Sequence, residues 1–131
     1  MPTARVPAIR IDPDGTVTVL ADASYESISD GVGGWIEAAP TDGTITIWVN
    51  EEGKLVPLPF NPLGHALWAY VDSYRCIAAG DWMAGPCVVT GPIDDHGDTT
   101  DLPGWVLPTL ERLAATARFE PGTPPGQPAT P

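Results

Sequence analysis

Positive charge is scarce in this 131-residue chain, where six lysines and arginines face seventeen aspartates and glutamates, for a formal net charge of -11. A surface of that sign repels phosphate backbones and anionic headgroups, so neither direct nucleic-acid binding nor membrane attachment is expected. The acids are spread from Asp12 to Glu120 without long runs, the pattern of a solvated acidic surface. Metal-ligating and redox residues are also few: two cysteines, Cys76 and Cys87, and two histidines, His65 and His96. Two cysteines make no disulfide framework and are read as reduced, and four such widely separated residues make no structural zinc site. No window approaches the roughly 18 to 20 apolar residues that cross a bilayer, and Met1 to Arg10 has no apolar signal core. A soluble, cytoplasmic protein is the expectation. Internal repeats and recognisable catalytic motifs are lacking as well.

What the chain does have is punctuation. Sixteen prolines and fourteen glycines imply short elements, and the length suits one core. Val6 to Ile11 and Thr16 to Leu20 are β-rich runs around Asp12-Pro13-Asp14-Gly15, a hairpin. Ser24 can cap a short helix with Tyr25, Ile28 and Val32 on one face, stopped at Gly31. Trp35 to Ala38 reads as a third strand and Thr44 to Val49 as a fourth, in which Ile45, Ile47 and Val49 alternate with Trp48. Both faces of that strand therefore carry large apolar groups, so either helices cover both or one is an interface. Lys54 to Leu58 extends the pattern as an edge strand, because Pro57 and Pro59 lack ladder donors.

Asn61 and Pro62 open the strongest helix, predicted to run to Arg75, with Leu63, Ala66, Leu67, Tyr70, Val71 and Tyr74 inward and His65, Trp68 and Asp72 on the opposite face. Cys87 to Thr90 is too short for a helix and reads as an inner strand. A terminal helix begins near Asp101-Leu102-Pro103, with Leu102, Val106, Leu110, Leu113 and Ala117 on one face and a kink or restart at Pro108. The segment from Glu120 to Pro131 is Pro/Gly-rich and expected to be disordered.

Three constellations bear on chemistry. His65, Trp68 and Asp72 fall at surface-neighbour spacing, and a carboxylate beside an imidazole can tune it for acid-base work, yet no nucleophile accompanies them. Asp94-Asp95-His96-Gly97-Asp98 gathers hard ligands but lacks an EF-hand's spacing and reads as a turn. Gly31-Val32-Gly33-Gly34 invites comparison with a phosphate loop, yet the glycines follow a helix instead of opening one. Adjacent Glu51 and Glu52 at a hairpin tip point to opposite faces, which argues against shared proton work. Five tryptophans complete the inventory, and Trp35 and Trp48 offer stacking surfaces.

Gly33-Gly34-Trp35-Ile36-Glu37, Val49-Asn50-Glu51-Glu52-Gly53-Lys54-Leu55, Leu58-Pro59-Phe60-Asn61-Pro62 and Gly85-Pro86-Cys87-Val88-Val89-Thr90-Gly91, with Asp95 and Gly97, together resemble the domain of unknown function numbered 3846. The resemblance spans Arg5 to Leu113 and implies a small protein of actinobacterial phages, plasmids or related mobile elements. It carries over no activity, cofactor or catalytic residue. Gly64-His65 departs from the small helix-favouring residues expected there.

These readings combine into one α+β domain over residues 1–119: a mainly antiparallel sheet of five or six short strands packed by two or three helices, then a disordered tail over 120–131. The expected function is a non-enzymatic interaction protein of a phage or mobile element in the bacterial host cytoplasm. It would engage a host protein, or another copy of itself, through an acidic, aromatic surface drawn from Trp35, Trp48, Glu51, Glu52, His65, Trp68 and Asp72. No cofactor and no metal is expected. The alternatives are a small-molecule or nucleotide-binding, sponge-like protein and, below it, a small hydrolase-like enzyme using His65 and Asp72.

Overall fold

Short strands punctuated by polar turns give a fold whose centre is the last strand in sequence. The computed structural model describes residues 5–52, 58–80 and 82–116. Strand β1 (Ala8–Ile11) turns at Asp12–Gly15 into β2 (Val17–Leu20), with the Asp14 carboxylate accepting from Thr16 N–H at 2.9 Å and Gly15 at φ 92°. After helix α1 (Tyr25–Val32) come β3 (Ile36–Ala39) and β4 (Thr46–Asn50), joined through a turn in which Asp42 accepts from Thr44 N–H. Helices α2 (Pro62–Val71) and α3 (Ser73–Ala79) lead to β5 (Cys87–Thr90), and α4 (Val106–Thr116) follows. The five strands form one sheet in the order β2-β1-β5-β4-β3, and every neighbouring pair is antiparallel.

The α+β class and the inner position of Cys87 to Thr90 agree with the sequence. β5 is buried along its whole length because both faces are covered. On one face Ile9, Ile11, Ile45, Ile47 and Val89 pack under α2, α3 and α4. On the other, Ala8 and Val88 meet Ile28 and Val32 of α1, with Trp48 half-buried beside them. Helices thus cover both faces of β4. The predicted edge strand at 54–58 falls largely on, and the tail entirely on, residues outside those described.

Several expectations are corrected. Gly31 does not stop α1: it lies inside the helix, where an added Cβ would sit 2.6 Å from Val88 Cγ2, and the stop is Gly33 at φ 82°. Tyr25 is exposed instead of facing the core. The predicted Pro62-to-Arg75 helix is two helices, because Asp72 ends α2 and caps α3 by accepting from Arg75 N–H at 2.9 Å. The faces differ from the prediction as well: within α2 Trp68 is buried and Tyr70 exposed, and beyond the break Tyr74 is exposed. Four helices therefore occupy the described residues, one more than the upper expectation. Pro108 produces no restart, since it is the third residue of α4, in the first turn where its missing N–H has no helical partner.

Gly64 has a packing reason. A Cβ there would lie 2.8 Å from Cys87 Sγ, so glycine allows α2 to approach the central strand. Beside it Asn61 is fully buried and uses its whole side chain. Its Oδ1 caps α2 through Gly64 N–H at 3.0 Å, while its Nδ2 donates to Ile11 O at 2.8 Å and Gly85 O at 3.0 Å.

Candidate functional site

Strand alternation sets up a cleft at one end of the sheet. Pairing of β3 with β4 places Glu37 opposite Val49 and Ala39 opposite Ile47, so Glu37, Ala39 and Val49 share the face under α2 and α3. Glu51 continues the same alternation past β4, and its N–H donates to Trp35 O at 2.8 Å, extending the pairing. Opposite them, the end of α3 and the segment that follows bring Ala79, Trp82 and Met83 around buried Trp68. The enclosed volume is about 300 Å³. Its floor is aromatic and apolar, and two carboxylates come from the strand side. No lysine or arginine is among its described lining residues.

The floor is fixed by hydrogen bonds. Trp68 Nε1 donates to Pro40 O at 2.8 Å, tying α2 to the exit of β3. His65 stands behind it, its ring 5.8 Å from that of Trp68 and 5.5 Å from that of Phe60, both edge-on. Its Nδ1 accepts from Met83 N–H at 3.4 Å, and its Nε2 lies 3.7 Å from Cys76 Sγ. In a neutral ring that accepts at Nδ1 the proton sits on Nε2, facing the sulfur. Burial and the nearby charge of Asp72 push the Cys76 thiol up, the opposite of what a thiolate nucleophile requires. Asp72 is held below the usual carboxylate range by the backbone N–H and guanidinium of Arg75. His65 supports the cleft through Trp68 and Met83, while Asp72 works as a helix cap.

Of the residues predicted from sequence, the structure gathers Glu51 and Trp68 in the cleft with His65 behind. Trp35 lies on the surface, 67% exposed, and Glu52 is an exposed turn residue whose N–H donates to Asn50 Oδ1. Trp48 is on the α1 side of the sheet and donates from Nε1 to Thr90 Oγ1 at 3.1 Å. Glu37, Trp82 and Met83 were not anticipated. Glu37 was legible, since alternation along Glu37-Ala38-Ala39 opposite Val49 puts it on the face of Glu51; Trp82 and Met83 follow an irregular segment with no periodic signal.

The glycine-rich turn serves the fold: the N–H groups of Gly33 and Gly34 both donate to Ser29 O, at 2.8 and 3.1 Å, and so close the end of α1. In the acidic loop, Asp94 accepts from His96 and Asp98 N–H at 2.9 and 3.0 Å, and Gly97 has φ 82°. That is turn chemistry, and no three His, Cys, Asp or Glu side chains among the described residues are grouped to hold a metal ion. No helix among them is long and apolar enough to cross a membrane.

The family model for the domain of unknown function DUF3846 matches residues 5–114, and the chain belongs to that family. No curated protein and no solved structure matches the chain.

Proposed function

We propose that this member of the DUF3846 family is a non-enzymatic interaction protein that receives a basic segment of a partner protein in the Trp68–Trp82 cleft. The observation that carries the reading is the pairing of an aromatic floor with two carboxylates, Glu37 and Glu51, in a cleft whose described lining has no cation. An arginine or lysine entering it would stack against indole while its charge meets carboxylate, two attractions that reinforce each other where water is partly excluded. The overall charge of -11 acts in the same direction, drawing basic partners by long-range steering. Arg5, Arg10 and Arg75 are each held locally by an ion pair, with Asp101, Asp12 and Asp72 respectively.

The resemblance to phage and mobile-element proteins supports a host protein with a basic surface as the partner, and the bacterial cytoplasm as the place of encounter. Tryptophan fluorescence titration with short arginine- and lysine-containing peptides tests the cleft directly. Glu37→Gln and Glu51→Gln are each expected to weaken binding about fivefold, roughly 1 kcal/mol. Asp94→Asn and Asp95→Asn, which change net charge equally but lie in a distant turn, should leave it nearly unaltered. Equal weakening by both pairs would reduce the binding to general acidity and remove the cleft from the account.

A further inference from the structure

The strand that supplies one wall of the cleft is also an edge of the sheet. Among the described residues β3 pairs with β4 alone. Glu51 N–H donates to Trp35 O, so Trp35 and Glu51 are a hydrogen-bonded pair, and antiparallel alternation makes Glu37 with Val49 and Ala39 with Ile47 the next two. The backbone groups of Ile36 and Ala38 therefore point away from β4, to the outer edge. That edge is closed at both ends. Gly34 N–H donates to Ser29 O and Gly34 O accepts from Ser29 Oγ at 2.7 Å, while Pro40 has no N–H and its carbonyl takes the Trp68 Nε1 bond. Between these ends the described residues offer no partner to the N–H and C=O of Ile36 and Ala38.

An unpaired edge is completed by an added strand, whose side chains alternate in step with those of its neighbour. Residues of such a strand opposite Trp35, Glu37 and Ala39 fall on the cleft face, and those opposite Ile36 and Ala38 fall on the α1 face. On the cleft face the residue opposite Glu37 has its Cβ about 5 Å from that of the glutamate, and the one opposite Trp35 meets an exposed indole. Carboxylate and indole both favour a cation. On the α1 face the strand runs beside Ile36, with Trp48 one strand further in, both half-buried, and this favours apolar side chains. A segment that alternates basic and apolar residues satisfies both faces at once.

We infer that a partner segment of this alternating pattern extends the sheet as an antiparallel strand on β3, its backbone pairing with Ile36 and Ala38 and its basic side chains passing over Glu37 towards the Trp68 floor. The inference rests on the cleft reading above and adds the conformation, register and sequence pattern of what enters the cleft. Antiparallel pairing continues the rule of every other pair in the sheet.

The pentapeptide arginine-valine-arginine-valine-arginine, capped at both ends, tests it. At saturation it should slow amide exchange at Ile36 and Ala38 at least tenfold. Exchange at Val17 and Val19, whose backbone groups face the outer edge of β2 on the far side of the sheet, should not change. N-methylation of both valines removes the N–H groups that face β3 and should weaken binding at least tenfold, whereas N-methylation of the central arginine, whose N–H points away from β3, should alter it less than about threefold. Ala38→Pro deletes an outward donor without touching a bond to β4 and should act like valine methylation, with an unchanged Trp68 Nε1 resonance in the free protein marking an intact fold. Binding that weakens with Glu37→Gln but ignores valine methylation, with Ile36 and Ala38 exchanging freely, would overturn the added strand and leave the cleft reading standing. Equal protection of Val17 and Val19 would overturn it as well, by reducing the effect to generic edge pairing. A peptide that does not bind overturns both readings.

Discussion

The two faces of the central strand use the same device under different constraints. Cys87 and Val88 are neighbours on β5 and point to opposite sides, and each meets a helical glycine: Gly64 of α2 on one side, Gly31 of α1 on the other. On the α2 side that contact sits beside Asn61, whose amide joins β1, the approach to β5 and the start of α2. On the α1 side the buried layer is Ala8, Ile28, Val32 and Val88, with Leu20, Ala23, Ile36 and Trp48 only partly covered. One helix is pinned by a fully buried polar hub as well as by packing, whereas the other is held by a thin apolar layer and, at its last residue, by Asn50 Nδ2 donating to Val32 O at 3.2 Å. The candidate cleft is built on the pinned side, where His65, Trp68 and Met83 inherit their positions from α2 and its contacts.

The sharpest way to break that comparison is to remove the hub. Asn61→Ala loses the cap and leaves the Ile11 and Gly85 carbonyls and the Gly64 N–H short of partners, an expected loss of about 3 kcal/mol from a cap term near 1 and two buried groups near 1 each. Ser24→Ala, the cap of α1, should cost only about 1 kcal/mol, since its end of the helix is open to water. Urea denaturation of the two variants measures both. Equal losses would mean that Asn61 is an ordinary cap.

The glycine pair comes next. An added Cβ at Gly31 meets Val88 Cγ2 at 2.6 Å, and one at Gly64 meets Cys87 Sγ at 2.8 Å and Asn61 Cγ at 3.1 Å. By distance alone Gly31→Ala is the worse clash. α1 can shift outward on its thin layer, however, while α2 is fixed by Asn61, so Gly64→Ala is expected to cost about 2 kcal/mol and Gly31→Ala about 1, after the helix propensity gained from alanine. Each should be partly rescued by trimming its own contact, Cys87→Ala or Val88→Ala, and not by trimming the other's. Cross-rescue would show that the two faces relax as one.

Much of this arrangement was legible because it rests on local chemistry. Asn61-Pro62 announces a helix start, Asp12–Gly15 a turn, and the unbroken apolar run Cys87–Thr90 a strand covered on both faces. One error comes from carrying helical periodicity through a position where a cap intervenes. Asp72 caps α3 as Asn61 caps α2, but without an adjacent proline it looks like one more polar surface residue; the burial of Trp68 has a separate cause, its tertiary contact with Pro40 O. The helix stop went to Gly31 when only the three-dimensional contact with Val88 explains that glycine. Half of the cleft was out of reach for a related reason, since Trp82 and Met83 are positioned by tertiary contacts such as the Met83 N–H bond to His65.

The smallest expected effect separates the helices by the chemistry of their caps. The start of α1 is organised by Asp22, which accepts from Ser24 N–H and Ser27 Oγ, and these bonds hold its carboxyl down to about 2 from an ordinary 3.8. α3 is capped by Asp72, likewise lowered by its bonds from Arg75. α2 is capped by an amide that does not titrate. A carboxyl whose folded value is depressed stabilises fully above its unfolded value, and that contribution disappears as pH falls through the folded one. Protection against amide exchange, taken relative to the intrinsic exchange rate at each pH, should therefore fall in the first turn of α1 between about pH 4 and pH 2 and in that of α3 as pH drops below about 4, while that of α2 stays constant, and Asp22→Asn should remove the α1 response alone. If all three helices loosen together in that window, acid acts on the molecule through its net charge, and the independence of the two faces does not extend to their helix ends.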